Sequence, residues 1–352
     1  MRKHSFLFYG GKMERVILGL SDGVDSAVAA LLLKNKGYEV IGIHLVMADD
    51  KGVEAAEQSA KELGIAFEAV DIRKELQEKV CEHFIDEYLR GRTPSPCPGC
   101  NRNVKLPALV TAAKRYGTER IATGHYVKKI NNRLYMGDAE CDQSYMLAKI
   151  TPEQLSCLIL PLGEYRKSEI RKIAAEHNLS CASKPDSREN CFIKGMNYSQ
   201  YIETERKNDL PDHGNVCFRN NIVWEHTGIY NYTVGQRWKD DIDGRRVYVS
   251  KIDRLTNTIE LSLWENLFTR RVYVSNTTWV SGACPSEEFV GNIRVRHTRW
   301  ETPECHIACL GKNLIVDTYS DLRAPAPGQT AAIYIGTELV GGGDVETEIP
   351  SK

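Results

Sequence analysis

The chain has 352 residues, with 46 Lys and Arg against 47 Asp and Glu, so its formal charge is −1. That length exceeds one ordinary core and suits two or three domains. No apolar run reaches the roughly 18 residues of a membrane span. The near-neutral charge confines any nucleic-acid contact to local patches. Met1 to Met13 lacks the apolar core and cleavage site of a secretory signal, so a cytoplasmic protein without a membrane partner is expected. In that setting the 11 cysteines, an odd number, do not read as a disulfide framework. Most, such as Cys81, Cys157, Cys181 and Cys217, read as small buried hydrophobes.

The first element is the apolar run Arg15 to Leu18, a strand. It ends in Gly19-Leu20-Ser21-Asp22-Gly23-Val24-Asp25-Ser26 and opens into the helix former Ala27 to Lys34. A strand, a tight polar loop and a helix start form an anion site: backbone N–H groups point at the ligand, and the Ser21 and Ser26 hydroxyls add donors. No Walker-type G-x-x-x-x-G-K-[ST] occurs. Asp25 stands where a helix N-cap or a Mg²⁺-facing carboxylate would sit. Gly37 stops the helix, and Tyr38 to Val46 is a second buried strand, completing a β-α-β unit. The loop resembles the SGGxDS pyrophosphate loop of ATP-pyrophosphatases, except that Asp22 replaces Gly. A carboxylate 4 Å from a phosphate charge costs about 4 kcal/mol at an effective dielectric near 20. Asp22 therefore points away or helps hold a neutralising Mg²⁺.

Further along, Val53 to Leu63 reads as a helix, Ala66 to Val70 as a strand and Leu76 to Leu89 as an amphipathic helix. Lys105 to Arg115 is another helix, and Arg120 to His125 a strand. This alternation predicts a doubly wound parallel sheet in an α/β domain, with ligands at the carboxyl ends of its strands. Residues 143–193 read as mainly helical. Beyond about 210, short strands with Gly, Asn and Asp turns predict a small central β domain and then a C-terminal β-barrel. The expected domains are 1–196, 197–268 and 269–352. Arg294 and Arg296 alternate on a strand-like segment and are expected to project from one face of a sheet.

Thr93-Pro94-Ser95-Pro96-Cys97-Pro98-Gly99-Cys100-Asn101 contains a C-x-x-C. That pair fits a zinc half-site, a redox pair or chance, and a zinc site would need Cys305 and Cys309 as its second half. Cys100, read as opening a helix, is expected to gain thiolate character from the helix dipole. Cys191 alone reads as a packing residue.

Taken in order, the loop at Ser21 to Ser26, this cysteine segment, Ala122-Thr123-Gly124-His125-Tyr126, Asp142-Gln143-Ser144-Tyr145, Asp186-Ser187 with Cys191-Phe192-Ile193, Tyr232 to Arg237 and Pro327-Gly328-Gln329 resemble the tRNA-specific 2-thiouridylases over nearly the whole chain. The resemblance implies an ATP-pyrophosphatase catalytic fold, resembling the adenine nucleotide alpha hydrolases. It implies ATP-dependent 2-thiolation of the wobble uridine, with Cys100 as nucleophile and Cys191 as persulfide carrier, and the two closing a transient disulfide. It places ATP on Gly19 to Ser26, Leu45 and Gly124, with Mg²⁺ accompanying the nucleotide. It places the tRNA anticodon arm on Ser95, Pro96, Cys97, His125, Cys141, Asp142, Gln143, Arg294, Val295 and Gln329. A cysteine desulfurase or sulfur-relay protein would be the donor.

Three departures stand out: Asp22 for Gly, Cys141 for the usual Lys, and a short segment 46–60. Cys at position 97 leaves Cys97, Cys100 and Cys191 able to converge, which opens an alternative in which a [4Fe-4S] cluster carries the sulfide. An amide ligase using the same loop and a non-catalytic tRNA-binding paralogue are the other readings.

Overall fold

The computed structural model describes residues 13–50, 52–185, 190–193, 195–297 and 302–349. The N-terminal unit is a five-stranded sheet, all of whose pairings are parallel. Its strands are β1 (Arg15–Gly19), β2 (Glu39–Val46), β3 (Ala66–Asp71), β4 (Ile121–Ala122) and a last one at Leu158–Ile159, in the order β3-β2-β1-β4 and then that last strand. The order reverses between β1 and β4, the switch point at which doubly wound sheets bind ligands. Val16, Ile17 and Leu18 are fully buried, as a strand covered by helices on both faces requires.

Helix α1 (Val24–Asn35) follows β1, and its Ala-rich middle packs against the sheet. Helix α2 (Val53–Leu63) keeps the expected bounds and ends at Gly64, whose left-handed φ of 59° suits a residue without Cβ. Two longer helices depart from expectation. Residues 73–89 and residues 96–115 each run continuously, and each contains one π-turn, Gln77–Cys81 and Asn101–Lys105. The strand expected over 120–125 is only Ile121–Ala122. The helical stretch expected over 143–193 reduces to Ser144–Leu147, Pro152–Cys157 and Lys167–Glu176.

An antiparallel hairpin missed in the sequence, Val127–Ile130 with Arg133–Met136, turns through Asn131 and Asn132 at φ 49° and 59°. Two consecutive left-handed residues make the turn that matches strand twist. This hairpin does not join the parallel sheet. Leu134 and Tyr135 pair with Leu339 and Glu338 at the edge of the C-terminal barrel.

The central β unit is a five-stranded sheet over residues 214–263, packed around Val216, Trp238, Val247 and Ile259. Six strands between Phe268 and Glu346 then close on themselves, because the first, Phe268–Trp279, pairs with both Asn313–Arg323 and Glu338–Glu346. Closure removes free edges and encloses an apolar core of Val272, Val274, Ile293, Ile307 and Val316. The α/β unit, the central β unit and the barrel are thus all present. The barrel is tied to the α/β unit by Arg92, which donates to Glu87 at 2.6 Å and to Glu346 at 2.6 and 3.0 Å. Thr93 N–H also donates to Pro327 O at 2.8 Å.

Candidate active site

A cavity of about 380 Å³ opens at the carboxyl ends of β1 and β4. One end is lined by Gly19 to Asp22, Asp25 and Ser26, with Leu45 on its wall; Asn101, Lys105, His125 and Cys191 line the other. The two motifs that the sequence holds far apart therefore share one chamber.

At the loop end, the Ser21 and Ser26 hydroxyls are 3.0 Å apart. Ser26 Oγ also accepts from Ser21 N–H at 3.0 Å and lies 3.1 Å from Gly23 O. These hydroxyls brace the loop by bonding to one another and to its backbone. Gly23, in extended conformation, is the N-cap of α1 and offers no side-chain cap, which leaves first-turn N–H groups open. Val24 turns into the core. Gly124 packs so closely that a Cβ there would lie 3.2 Å from Asp25 C and Ser26 N.

Both loop carboxylates are already neutralised. Asp25 is not the N-cap but sits in the first helical turn, with Lys167 Nζ at 2.7 Å from each carboxylate oxygen and the Tyr126 hydroxyl donating to it. Asp22 pairs with Lys184, so a lysine supplies the counter-charge that was expected from Mg²⁺. Lys167 and Lys184 stand more than 140 residues away in the chain, and their partners were not legible without the fold.

At the thiol end, Cys100 lies inside the continuous 96–115 helix and is buried. The expected low thiol pKa is reversed: burial pushes it up to about 12, opposed by the positive charge of Lys105. A helix dipole acts on its terminal turn, and Cys100 has another helical turn on each side. Cys191 and Cys97 are exposed, and the charges of Cys191, Cys97 and Cys81 all act on Cys100. The buried Cys81, read from sequence as mere packing, is thus a fourth thiol of this neighbourhood. Asp186 to Glu189, part of the motif around Cys191, lie outside the described residues.

His125 is held from both sides. Its Nδ1 lies 2.8 Å from Thr123 Oγ1, and its Nε2 lies 3.4 Å from Asn101 Nδ2. An amide donor at Nε2 assigns the proton to Nδ1. Burial, reinforced by Lys105, lowers its pKa to about 3, so the ring is neutral at ordinary pH. Asn101 donates to Met146 O at 2.9 Å, while its Oδ1 has no hydrogen-bond partner among the described residues.

The residues expected to meet tRNA divide. Ser95 and Pro96 line a second cavity of about 320 Å³ beside Lys79, Arg102 and Lys149. Ser95 Oγ donates to Gln329 Oε1 at 3.2 Å, and Gln329 Nε2 donates to Thr93 O at 3.0 Å. Gln143 Oε1 accepts from Tyr126 N–H at 3.1 Å on the first cavity's rim. Cys141, half-buried, directs its thiol to Tyr165 O at 3.7 Å.

The expectation for Arg294 is corrected. Its side chain is buried, 2.8 Å from Asp142 and over the Tyr334 ring, and Val295 lies in the barrel core. Arg296 donates to the carbonyls of Val234 and Ala324. A buried cation without a partner would be costly, so these arginines fasten the barrel and do not form a solvent-facing phosphate strip.

Among the described residues, no group of three His, Cys, Asp or Glu side chains is disposed to hold a metal ion. Cys97, Cys100 and Cys191 thus do not converge as cluster ligands. Cys309, weighed as half of a zinc site, faces Cys284 at 2.9 Å, and Cys305 is buried in the barrel.

A parallel α/β unit followed by a five-stranded β unit and a closed β-barrel defines a three-unit α/β and β protein. Three family models match the same three units. Residues 14–195 match the tRNA methyl transferase HUP domain, 207–262 its PRC-barrel domain and 269–345 the aminomethyltransferase β-barrel domain. The chain is 34% identical to the tRNA-specific 2-thiouridylase MnmA of Clostridioides difficile, over 96% of this chain and 99% of the relative. It is 36% identical to that of Rickettsia typhi, over 96% and 100%. A solved NMN synthetase from Francisella tularensis shares 16% identity, covering 56% of this chain and 79% of its own, with a TM-score of 0.35. The chain belongs to the tRNA-specific 2-thiouridylase family. No helix of the described residues is long and apolar enough to cross a membrane.

Proposed function

We propose that this protein is an ATP-dependent tRNA-uridine 2-sulfurtransferase acting on the wobble uridine. The observation that carries the reading is the shared cavity: the phosphate-type loop and Cys191 line the same space. ATP lies at the loop with its Mg²⁺, its phosphates on the open amides of α1. The uracil C2 oxygen attacks the α-phosphate, pyrophosphate leaves, and the C2 carbon becomes electrophilic, with AMP as its leaving group. A sulfane sulfur carried on Cys191 replaces that oxygen, and Cys100 closes a disulfide with Cys191 as the sulfur departs. A thiol carrier and a second thiol nearby are what this chemistry needs, and an amide ligase needs neither.

The target base must leave its stack to enter the chamber. The basic cavity at Ser95, Arg102 and Lys149 is a suitable seat for the neighbouring backbone. The persulfide is supplied by a cysteine desulfurase or sulfur-relay protein.

The test is reconstitution with unmodified tRNA, ATP, Mg²⁺ and a persulfide-generating desulfurase, followed by nucleoside mass spectrometry. Formation of 2-thiouridine with one AMP per thiolation is expected, lost in Cys100→Ser and Cys191→Ser. AMP release that is unaffected by either substitution, with no thiolated nucleoside, would refute the reading.

A further inference from the structure

The 96–115 helix changes phase where the chemistry is concentrated. Asn101–Lys105 is a π-turn, in which the Leu106 N–H reaches back to Asn101 O. In a regular α-helix a residue five positions on lies about 140° around the axis. A π-turn brings positions five apart close to one line. Lys105 is thereby carried onto the Cys100 side of the helix and into the wall of the cavity that holds Cys191.

This lysine differs from the two at the loop. Lys167 and Lys184 are matched to Asp25 and Asp22. Among the described residues, the Lys105 ammonium makes no hydrogen bond and no ion pair with a carboxylate. Burial works against its charge, and negative charge on Cys100, Cys191 and Cys97 more than offsets this. The titratable groups facing Cys100 are Lys105, Cys191, Cys97 and Cys81, and His125 faces Lys105 as a neutral ring.

We propose that Lys105 is a positioning residue for sulfur transfer: its ammonium holds the negative charge of the attacking Cys100 sulfur and of the sulfur leaving Cys191. The inference rests on the function proposed above. In the step, Cys100 loses its proton to solvent, and its thiolate attacks the inner sulfur of the Cys191 persulfide. The Cys100–Cys191 bond forms and the persulfide S–S bond breaks. The outer sulfur departs with that electron pair as hydrosulfide, adds to C2 and expels AMP. An external dithiol then reduces the disulfide. Two sulfurs bear negative charge in turn, and one fixed cation serves both without a carboxylate competing for it.

The experiment measures alkylation of Cys100 by iodoacetamide in the full-length, reduced protein, without ATP or tRNA, between pH 7 and 10. Peptide mass spectrometry identifies the labelled residue. Lys105→Met and Lys105→Gln are expected to slow Cys100 alkylation about tenfold at each pH, equivalent to about one pH unit. Lys105→Arg, which keeps the charge, should stay within about threefold of the parent. Labelling of buried Cys305 reports loss of fold; should the Met variant expose it, the Gln variant decides. Rates within about twofold of the parent in the Gln variant would overturn the proposal. So would unchanged alkylation with weakened ATP binding, which would assign the cation to phosphate. Failure of the parent to thiolate tRNA would instead refute the proposed function and leave the alkylation result standing.

Discussion

The two ends of the cavity are prepared for negative charge by different means. At the loop end, carboxylates and lysines cancel in pairs, Asp22 with Lys184 and Asp25 with Lys167, so the backbone amides of α1 face an incoming anion in a locally balanced field. At the thiol end, the fixed cation Lys105 has no carboxylate partner among the described residues, the imidazole is neutral, and an amide oxygen is unpaired. The first end suits a ligand that arrives charged. The second suits charge that is created during the reaction, which is where a preorganised, uncompensated cation is most effective.

The sharpest separation of the two ends is Cys191→Ser. It should lower thiolation by at least about a thousandfold while ATP affinity, measured by calorimetry, stays within about twofold. A parallel loss of both would mean the ends are not separable.

Gly124→Val addresses the opposite end. Its first carbon would lie 3.2 Å from the backbone of Asp25 and Ser26, so ATP affinity should fall by about tenfold or more. Cys191 alkylation should not change.

The neutral imidazole predicts a pH effect. The His125 pKa, ordinarily 6.5, falls to about 3 in the folded protein, so the unfolded chain binds more protons between those values. Stability is therefore complete above about pH 7 and declines as pH falls toward 3, with about 2 kcal/mol lost by pH 5. His125→Asn should flatten that limb in urea melts across pH. On the alkaline side, burial raises Cys81 to about 11 and Cys100 and Cys305 to about 12, so stability should decline as pH rises beyond 9.

Lys184→Met should have the smallest effect, about threefold weaker ATP binding, because the pair is half exposed. Restoration by Asp22→Gly in the same chain would confirm that the lysine serves to cancel that carboxylate. No restoration would point to a direct contact between Lys184 and the nucleotide.

What could be read in advance followed from locality. The loop at Gly19 to Ser26 is contiguous, and its strand–loop–helix context lies within thirty residues. Helix α2 was bounded correctly because its amphipathic pattern is uninterrupted and a glycine ends it. The thiol end was only partly legible. Cys100 reads as opening a helix, yet the helix begins four residues earlier at Pro96, which occupies the first helical turn, where a missing N–H is harmless. Lys105 escaped notice because α-helical counting turns it away from Cys100; only the π-turn restores it. Arg294 was misjudged because alternation on a strand identifies a shared face without saying which face is buried, and its partner Asp142 lies 152 residues away.

The Asn131–Asn132 hairpin has a consequence for the whole molecule. Its strand Arg133–Met136 extends the barrel wall at Glu338 and Leu339, and fully buried Leu134 packs where the two units meet. The C-terminal unit is thus sewn into the catalytic one by main-chain ladder bonds and cannot swing on a tether. Under the proposed function, an RNA stem held by the barrel would be presented to the chamber at a fixed distance, like work held in a vice beside the tool. A chain cut before residue 269 would lose that grip and would also expose an unpaired strand edge on the part that remains.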